Sequence, residues 1–587
     1  MKRLSSGRLG KDICLIRPPA VESFRFSTGS ITPPLGLAYI IAALEKAGRE
    51  VKLIDAVASA PKNFTSYLEG YLVGLSLEEI VAKIHKDTKV VGISATFTHE
   101  WPAIARLIQL IKESKPEVTV VLGGEHITAL PEFSLLVSGA DVAVLGEGEE
   151  TVVELFDVLE NKGPLRDVNG IAYREKDRIN INPRRQRATK LDCIAKPAWD
   201  RIDLAVYHEN KFVGGMDMAE ITVPILATRG CPYQCTFCAS PNMWTTKWVP
   251  RDPKLVVDEL EHYVKTYGAK NFPFQDLTAI IEKDWIVRFC NEILSRNLQI
   301  FWQFPSGTRS EAIDDEVAGL MKKSGMINMG YAPESGSETT RKFIKKKVKT
   351  ENLIKSIKSS VKAGLNVSLF FIVGFPHDTK DLLKENLDFM KTISELGISD
   401  VAVGVYLALP GTELFDSLYD SGKLTLDRNY FSHILQGSAI IPQVSHNDHL
   451  NRFSLAIWRI RINLKFYREK RKMAHKKGGA FALLFSGLGG LFQRKHATRL
   501  ETALRNGVLS GLISFRCKFK TRWMPLEKEV EMMAGWDAVY RKVRESKMEA
   551  GCIAFTEKDS SQLYKHNVIK RIRTNHEAKW SAAIDEA

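Results

Sequence analysis

Three cysteines, Cys231, Cys235 and Cys238, stand in a C-x3-C-x2-C spacing on one short stretch of the chain. Thiolates at this spacing can hold three irons of a [4Fe-4S] cluster, which leaves the fourth iron without a protein ligand and open to chemistry. The alternative is a structural zinc loop, which needs one further Cys or His. His262 is the candidate for that ligand, but no second Cys-x2-Cys or His pair lies nearby. The spacing therefore favours the cluster.

The segments on both sides of these cysteines indicate how they are positioned. Residues 221–227 form an apolar run typical of a buried strand, and residues 253–267 repeat apolar side chains with helical spacing. Gly268 follows the last of these side chains and is a typical helix end. A strand, a ligand-bearing loop and a helix in this order predict the first unit of a β/α barrel.

Strand and helix signals continue to alternate after this unit. With the strand before Cys231, five later runs give six predicted strands, the number expected for a partial (β/α)6 barrel, an open relative of the eight-stranded barrel. Active residues in such a barrel gather at the carboxyl ends of the strands. The later runs are residues 271–275, 300–303, 329–332, 367–373 and 400–407.

The amino-terminal part also alternates strand and helix signals, with glycines after several strands. This pattern predicts an α/β fold with a doubly wound parallel sheet, whose ligands bind beyond the carboxyl ends of the strands. The predicted strands are residues 12–17, 51–54, 89–94, 118–122 and 142–145. The candidate ligand-binding residues at their ends are Pro34, Gly36, Ser94, Gly123, Gly124, Gly146 and Gly148.

The cysteine spacing, with the aromatic Phe237 before the last cysteine, resembles the signature of the radical S-adenosylmethionine superfamily. The strand-end motifs resemble the cobalamin-binding domain found upstream of many such enzymes. The resemblance implies that S-adenosylmethionine chelates the open iron and is split to a 5′-deoxyadenosyl radical. No Asp-x-His-x-x-Gly motif is present, and His126 does not have its spacing, so the resemblance implies that the lower face of cobalamin has no histidine ligand. The alternative for this domain is a nucleotide-type fold that has lost its ligand.

Further cofactor contacts are implied by the same resemblance. They depart from the family pattern in two places, because the usual Gly-Gly-Glu after the second strand is absent and His377-Asp378 replaces the usual Gly-Glu. The implied contacts are Phe237 beside the cluster, Gln275 and Asp276 to the methionyl amine, Arg309 to the carboxylate, Glu334 to the ribose and Gly374 to the adenine. Arg309 has the alternative role of an ordinary surface arginine.

The carboxyl-terminal part is basic, and Glu469 and Glu501 are the only acidic residues between positions 451 and 523. A basic helical stretch over 458–477 leads into an uncharged run over 478–492, which is shorter than the ~20 residues that span a bilayer. Such a run can lie in a membrane interface between basic flanks, or form a buried helical hairpin over the barrel mouth. Nucleic acid binding is not expected, because no RNA-binding module is visible.

Composition is that of a soluble multidomain protein: 587 residues, 44% hydrophobic and 26% charged, with a net charge of +14 and eight thinly spread cysteines. Disulfides are not expected, so the predicted compartment is the cytoplasm, with peripheral contact at the inner membrane face through residues 455–523. The predicted domains are a cobalamin-binding-like domain over 1–195, a radical S-adenosylmethionine barrel over 196–425 and a helical basic region over 426–587.

The whole arrangement is similar to the group that includes anaerobic magnesium-protoporphyrin ester cyclase and hopanoid methylases. The resemblance implies [4Fe-4S], S-adenosylmethionine and cobalamin as cofactors, an external electron donor such as flavodoxin or ferredoxin, and a small-molecule substrate. The first hypothesis is C-methylation of an unactivated carbon of a hydrophobic or lipid-like substrate. The alternatives are a cobalamin-dependent cyclisation or rearrangement without methyl transfer, and a membrane-associated iron-sulfur electron-transfer or scaffold protein.

Overall fold

Eight strands of the amino-terminal part and of the last described residues form one mixed sheet. A computed structural model of the chain describes residues 12–23, 31–176, 178–437, 439, 441–476, 522–548 and 553–554. The strands of this sheet, numbered along the chain, are β1 (Ile13–Arg17), β3 (Lys52–Asp55), β6 (Val90–Ser94), β7 (Thr119–Gly123), β8 (Val142–Val144), β9 (Ile171–Glu175), β10 (Arg178–Ile181) and β18 (Ile553–Ala554).

The parallel part of the sheet has the order β3-β1-β6-β7-β8, and β9, β10 and β18 extend it in antiparallel pairing. Separate hydrophobic cores cover its two faces. Such two-sided burial suits the near-continuous apolar runs of parallel strands. The predicted doubly wound sheet is therefore confirmed. The chain changes its winding direction between β1 and β6, the position at which open α/β sheets bind their ligands.

A small antiparallel sheet beside it was not predicted. It consists of β2 (Ala20–Ser23), β5 (Gly70–Val73) and β4 (Phe64–Tyr67), in that order. Each strand has only four residues. Such short strands carry too few residues for alternation of apolar and polar side chains to be recognised.

The middle of the chain forms a second, parallel sheet with the sequential strand order of a partial barrel. Its strands are β13 (Asn271–Pro273), β14 (Phe301–Thr308), β15 (Met326–Glu334), β16 (Asn366–Val373) and β17 (Asp400–Val405). The partial barrel is therefore confirmed, and β14 and β15 extend further than predicted, to residues 308 and 334.

The predicted strand over 221–227 needs correction, because it is not a regular strand. This segment lies parallel to β13 and pairs with it only through isolated bridges, Thr222 with Asn271 and Ile225 with Phe274. Pro224 interrupts the segment and has no N–H to donate, which a sheet tolerates at an edge. The regular strand that follows is short: β11 (Thr228–Arg229), paired with β12 (Val249–Pro250).

Helices connect the strands of both sheets and cover them. The predicted helix over 253–267 is confirmed with those bounds, and Gly268 ends it in the left-handed conformation, at φ +65°. The helices are α1 (Leu35–Lys46), α2 (Ala56–Ser59), α3 (Leu77–Lys83), α4 (Trp101–Ser114), α5 (Glu125–Ala129), α6 (Pro131–Ser138), α7 (Glu149–Glu160), α8 (Leu204–Glu209), α9 (Ser240–Trp244), α10 (Pro253–Tyr267), α11 (Lys283–Ser295), α12 (Asp315–Lys323), α13 (Glu338–Phe343), α14 (Thr350–Lys362), α15 (Lys380–Glu395), α16 (Glu413–Asp420), α17 (Arg428–Leu435), α18 (Arg452–Lys476), α19 (Leu526–Ala534) and α20 (Trp536–Met548).

The carboxyl-terminal helices pack on both halves of the molecule. The basic helix predicted over 458–477 is α18, which begins earlier, at Arg452, and packs against α15 and β17. Helix α20 packs against α6 of the first domain, where Trp536 and Tyr540 meet the ring of Phe133 edge-on. The predicted uncharged run over 478–492 lies outside the described residues. Among the residues that are described, no helix has both the length and the apolar composition to cross a bilayer.

Candidate active site

The three cysteines lie on the loop between β11 and α9. Gly230 starts this loop at φ +88°, and a Cβ there would stand 2.2 Å from the carbonyl oxygen of Lys247, so only glycine fits this turn. Further along, the N–H of Thr236 donates to the carbonyl of Ile344 at 3.1 Å, and the N–H of Leu414 donates to the carbonyl of Thr236 at 3.0 Å. The loop is therefore fixed at its start and at Thr236 by neighbouring segments of the barrel.

The thiols of Cys231, Cys235 and Cys238 are free, half-buried and close enough to act on one another electrostatically. Burial raises the pKa of Cys238 to about 12 and also raises the pKa of Cys235, with smaller contributions from the neighbouring thiols. Within the described residues, no three Cys, His, Asp or Glu side chains converge closely enough to hold a single metal ion. Thiolates that bind separate irons of a cube stand farther apart than thiolates that share one ion. The donor set fits a cluster.

Asp276, predicted to contact the methionyl amine, is placed directly beneath the cysteine loop. Its carboxylate accepts hydrogen bonds from the N–H of Ala227 at 3.2 Å and from the hydroxyl of Thr228 at 2.6 Å. Burial raises the pKa of Asp276 to about 6, although these hydrogen bonds oppose the rise. The contacts indicate that Asp276 orients the segment that leads into the loop, whereas its contact with a cofactor stays a prediction.

Gln275 precedes Asp276, and its side-chain amide nitrogen is unpaired among the described residues. This nitrogen, Nε2, is buried. A Cβ added to Gly214 would stand 3.5 Å from this nitrogen and 2.3 Å from the Cγ2 of Thr32, which precedes α1. The amide is thus available to a ligand on the side of the barrel that faces the first domain.

Arg309 follows β14 and lies against the cysteine loop. Its guanidinium stacks 3.8 Å from the centre of the Tyr233 ring and donates to Glu311 at 2.7 Å and to the carbonyl of Lys347. Its Nε has no partner among the described residues. The alternative of a surface arginine does not hold, because the residue is only 8% exposed.

Glu334 ends β15 in the left-handed region, at φ +65°, which is unusual for a residue with a side chain. Its carboxylate pairs with Lys346 at 3.0 Å, and both groups are buried. The charge of Lys346 also acts on the thiol of Cys235. Sequence analysis missed Lys346, because it stands in a run of three lysines that is typical of a solvated surface.

Gly374 and Phe375 form the turn after β16. Their N–H groups both donate to the buried carboxylate of Asp378, at 2.9 and 3.1 Å, so the aspartate that departs from the family pattern holds this turn in place. The ring of Phe375 lies 5.5 Å from that of Phe237 on the cysteine loop. His377 is not solvated but stacks on Phe343 with ring centres 3.7 Å apart.

The predicted cobalamin-binding residues gather at the carboxyl edge of the first sheet, where Ser94 and Gly123 pair directly in register. Gly124 has φ +127° and packs so close to Ala95 that a Cβ would lie 2.4 Å from its carbonyl oxygen. A Cβ at Gly123 would instead meet no atom within 4 Å, and the same holds at Gly36, so open space adjoins this edge. This edge fits a bulky ligand.

The residues at the remaining strand ends have defined places. Pro34 precedes α1, and Gly146 and Gly148 follow β8. A Cβ at Gly148 would approach the Cδ1 of Ile40 at 2.9 Å. His126 is buried against Trp101 and its Nδ1 lies 3.2 Å from the hydroxyl of Thr98, a packing role in the core.

A buried ion-pair network joins the two domains at the cysteine loop. Arg229, one residue before Gly230, reaches Glu147 at 3.0 Å and Glu149 at 2.5 Å, and both acids follow β8 in the first domain. Arg187 pairs with Glu147 as well, at 3.3 Å. Burial raises the pKa of Glu149, but the charge and hydrogen bond of Arg229 together outweigh it, so the pKa lies below its usual value. A cavity of about 370 Å³ adjoins this network.

Comparison with known proteins agrees with this geometry. Residues 24–156 match the family model described as B12 binding domain, and residues 225–390 match the Radical SAM superfamily. The chain is 30% identical over 391 residues to the cytidylyl-2-hydroxyethylphosphonate methyltransferase of Streptomyces wedmorensis. The aligned region covers 62% of this chain and 72% of that protein. The chain belongs to the cobalamin-dependent radical S-adenosylmethionine enzymes.

This radical S-adenosylmethionine enzyme is also similar to a second methyltransferase in sequence and to a solved structure in fold. It is 29% identical over 408 residues to an uncharacterised methyltransferase of Pyrococcus horikoshii, covering 69% of this chain and 82% of that protein. Its fold resembles that of the cobalamin-dependent S-adenosylmethionine radical enzyme OxsB with a TM-score of 0.59, at 17% identity, over 95% of this chain and 84% of that one. Cobalamin, a [4Fe-4S] cluster and S-adenosylmethionine are therefore the cofactors to place in this site.

Proposed function

We propose that the enzyme C-methylates an unactivated carbon of a hydrophobic or lipid-like substrate. The observation that carries the proposal is the buried pairing of Arg229 with Glu147 and Glu149, which fixes the cysteine loop beside the carboxyl edge of the first sheet. A substrate between the two domains therefore meets both cofactor sites at once. The names of the two methyltransferase relatives support methyl transfer.

The cofactors, when bound, would supply the chemistry that side chains lack: one-electron reduction of S-adenosylmethionine by the cluster and methyl transfer by cobalamin. The chain's own residues bind and orient. Cys231, Cys235 and Cys238 would hold the cluster, and Phe237 with Phe375 would exclude water beside it. A radical formed in such a place is protected from solvent.

The polar groups around the loop would position S-adenosylmethionine. Glu334 presents carboxylate oxygens, which only accept hydrogen bonds and so suit ribose hydroxyls, and its ion pair with Lys346 orients this carboxylate. The free Nε of Arg309 and the free Nε2 of Gln275 are the donors left for the carboxylate end of the cosubstrate. The N–H groups of the Gly374 turn are already used by Asp378, so this turn would offer adenine its apolar surface.

Labelled S-adenosylmethionine tests methyl transfer. The anaerobic, reduced holoenzyme is supplied with S-adenosylmethionine that carries a ¹³C methyl group and with cell extract as the source of substrate. We expect a product with one added labelled methyl group, together with equal amounts of 5′-deoxyadenosine and S-adenosylhomocysteine. An altered product without the label would indicate cyclisation or rearrangement instead of methylation. The absence of 5′-deoxyadenosine would contradict radical chemistry altogether.

We further propose that the enzyme contacts an anionic membrane surface through α18. Its inner face, including Trp458 and Phe466, packs into the barrel core. Its outer face carries large apolar side chains at helical spacing that are 45–63% exposed, and Glu469 is the only acidic residue of the helix. An apolar stripe between basic flanks is the pattern of a helix that lies in a lipid interface. The stripe consists of Phe453, Ile457, Ile460 and Leu464.

Vesicle flotation tests this contact. We expect the full-length protein to float with vesicles that contain phosphatidylserine and to stay at the bottom with phosphatidylcholine alone, and the double variant Ile457→Asn, Leu464→Asn to lose most of the floating fraction. Ile181→Asn removes another exposed isoleucine, from β10, and is the matched control. Equal flotation of both variants would show that α18 is not the contact.

A further inference from the structure

Two buried histidines face each other at the barrel mouth, and none of the described residues hydrogen-bonds to their side chains. His433 on α17 is 2% exposed and His446 is 7% exposed, and their ring centres lie 5.3 Å apart in an edge-on arrangement. All four ring nitrogens are buried and have no partner among the described residues. Buried polar groups in folded proteins are almost always satisfied, so four unsatisfied nitrogens in one place need an explanation.

A third unsatisfied group belongs to the same cluster. The hydroxyl of Tyr406, which follows β17, is buried and has no partner among the described residues, and its ring centre lies 6.2 Å from that of His446. The neighbouring Tyr430 gives a contrast, because its hydroxyl donates to the carbonyl of Ala408 at 2.8 Å. Burial alone therefore does not leave a tyrosine hydroxyl of this region unsatisfied. We call His433, His446 and Tyr406 the polar pocket.

The polar pocket lies between the two cofactor sites. On one side, the ring of Tyr406 contacts Phe375 at 5.3 Å between ring centres, and Phe375 contacts Phe237 on the cysteine loop. On the other side, α17 packs against the turn over residues 98–100, which follows the strand end at Ser94 in the first domain. These contacts place the unsatisfied polar atoms behind the aromatic rings beside the cysteine loop, on the side of the first domain.

The polar pocket carries no charge at neutral pH. Burial lowers the pKa of His433 to about 4, with a smaller contribution from His446, and burial alone lowers the pKa of His446 to about 4. Apart from this effect of His446 on His433, no acidic or basic side chain among the described residues acts on either ring or on Tyr406. A neutral imidazole offers one donor and one acceptor, and a phenol hydroxyl offers both. An ion would be poorly compensated in such surroundings, whereas an uncharged ligand would satisfy them.

We propose that the polar pocket binds an uncharged hydrogen-bonding group, a carboxamide, carbonyl or hydroxyl, of the molecule held between the two domains. That molecule is the substrate or the corrin with its carboxamide side chains. An apolar wall followed by such a pocket would select a substrate that is hydrophobic near the reacting carbon and carries a neutral polar end. The inference builds on the proposed function, because it concerns the same site, but its test does not depend on methyl transfer.

The test reads the histidine rings directly by ¹⁵N NMR of the full-length protein with labelled histidine, assigned with His433→Phe and His446→Phe. Benzamide, benzoate and benzylamine are the probes, since they match in size and differ in charge, and hydroxocobalamin is added in a separate arm. We expect benzamide to shift both rings and to lose its effect in either variant, while benzoate and benzylamine leave them unchanged. Shifts with hydroxocobalamin alone would assign the pocket to the corrin. Rings unmoved by benzamide and by hydroxocobalamin, or moved equally by all three probes, would overturn the proposal.

A second measurement separates binding from structure. Because the hydroxyl of Tyr406 has no partner among the described residues, Tyr406→Phe should leave the thermal midpoint unchanged or raise it, while benzamide binding weakens. Tyr430→Phe is the matched control and should lower the midpoint, because it leaves the carbonyl of Ala408 unsatisfied. An equal loss of stability in both variants would show that Tyr406 serves the fold instead of a ligand.

Discussion

Replacing any one of Cys231, Cys235 and Cys238 with alanine is expected to abolish both cluster binding and product formation. A cube held by three thiolates that loses one of them keeps two unligated irons and decomposes, so bound iron should fall from about four per chain to below one. Iron and sulfide analysis after anaerobic reconstitution, together with the absorbance of the cluster, measures this loss.

Two other cysteines provide matched controls for these variants. Cys193 is exposed and Cys290 is a buried residue of α11, and both are free. Cys193→Ala and Cys290→Ala should retain the full iron content and activity, because neither residue lies on the loop between β11 and α9. Iron lost from either control to the same extent as from Cys235→Ala would contradict the assignment of the ligands.

Arg229→Met is expected to be the most destabilising single change at the domain junction. It leaves Glu149 without its arginine and Glu147 with Arg187 alone, in a site where all of these residues are nearly buried, and breaking a buried pair in this way costs about 3–5 kcal/mol. The midpoint of anaerobic urea unfolding measures the effect. Lys254→Met is the control: it removes an exposed pair with Asp258, and such pairs are worth at most about 1 kcal/mol.

The pH dependence of the same variant provides an independent check. In the native protein the pKa of Glu149 lies below its usual value of 4.5, so the stability from this pair is present above that value and is lost as the pH falls through the folded pKa. In Arg229→Met the carboxyl of Glu149 loses this counter-charge and burial then raises its pKa, so protonation relieves the cost. The difference in stability between the two proteins should therefore shrink on acidification from pH 7 to pH 5. A constant difference would contradict the role of charge.

Much of the fold could be predicted from local sequence because its signals are local. Helix α10 combines apolar side chains at helical spacing with Gly268 at its end, and both determinants lie within sixteen residues. The parallel strands of the first sheet are apolar throughout, since both of their faces are buried. The segment over 221–225 is similarly apolar but pairs only through isolated bridges. Local sequence does not predict this difference, because the effect of Pro224 depends on its position at the sheet edge.

The contacts around the cysteines were harder to predict, because they join residues that are distant in sequence. Arg229 meets Glu147 from the other domain, and Lys346 meets Glu334 after an intervening helix. Nothing in the local sequence separates these charged residues from those on a solvated surface. His433 and His446 escaped notice for a related reason: a histidine becomes informative only when its burial and its lack of partners are known.

Electron paramagnetic resonance of the reduced, reconstituted protein tests the central claim most directly. The protein is reduced in the absence of S-adenosylmethionine and in the presence of the cosubstrate labelled with ¹⁷O in its carboxylate. We predict a [4Fe-4S]⁺ signal that changes when the cosubstrate is added and shows hyperfine coupling to the labelled oxygen, because one iron has no protein ligand. A protein that takes up zinc in place of iron, or a cluster signal that labelled S-adenosylmethionine leaves unchanged, would contradict this account.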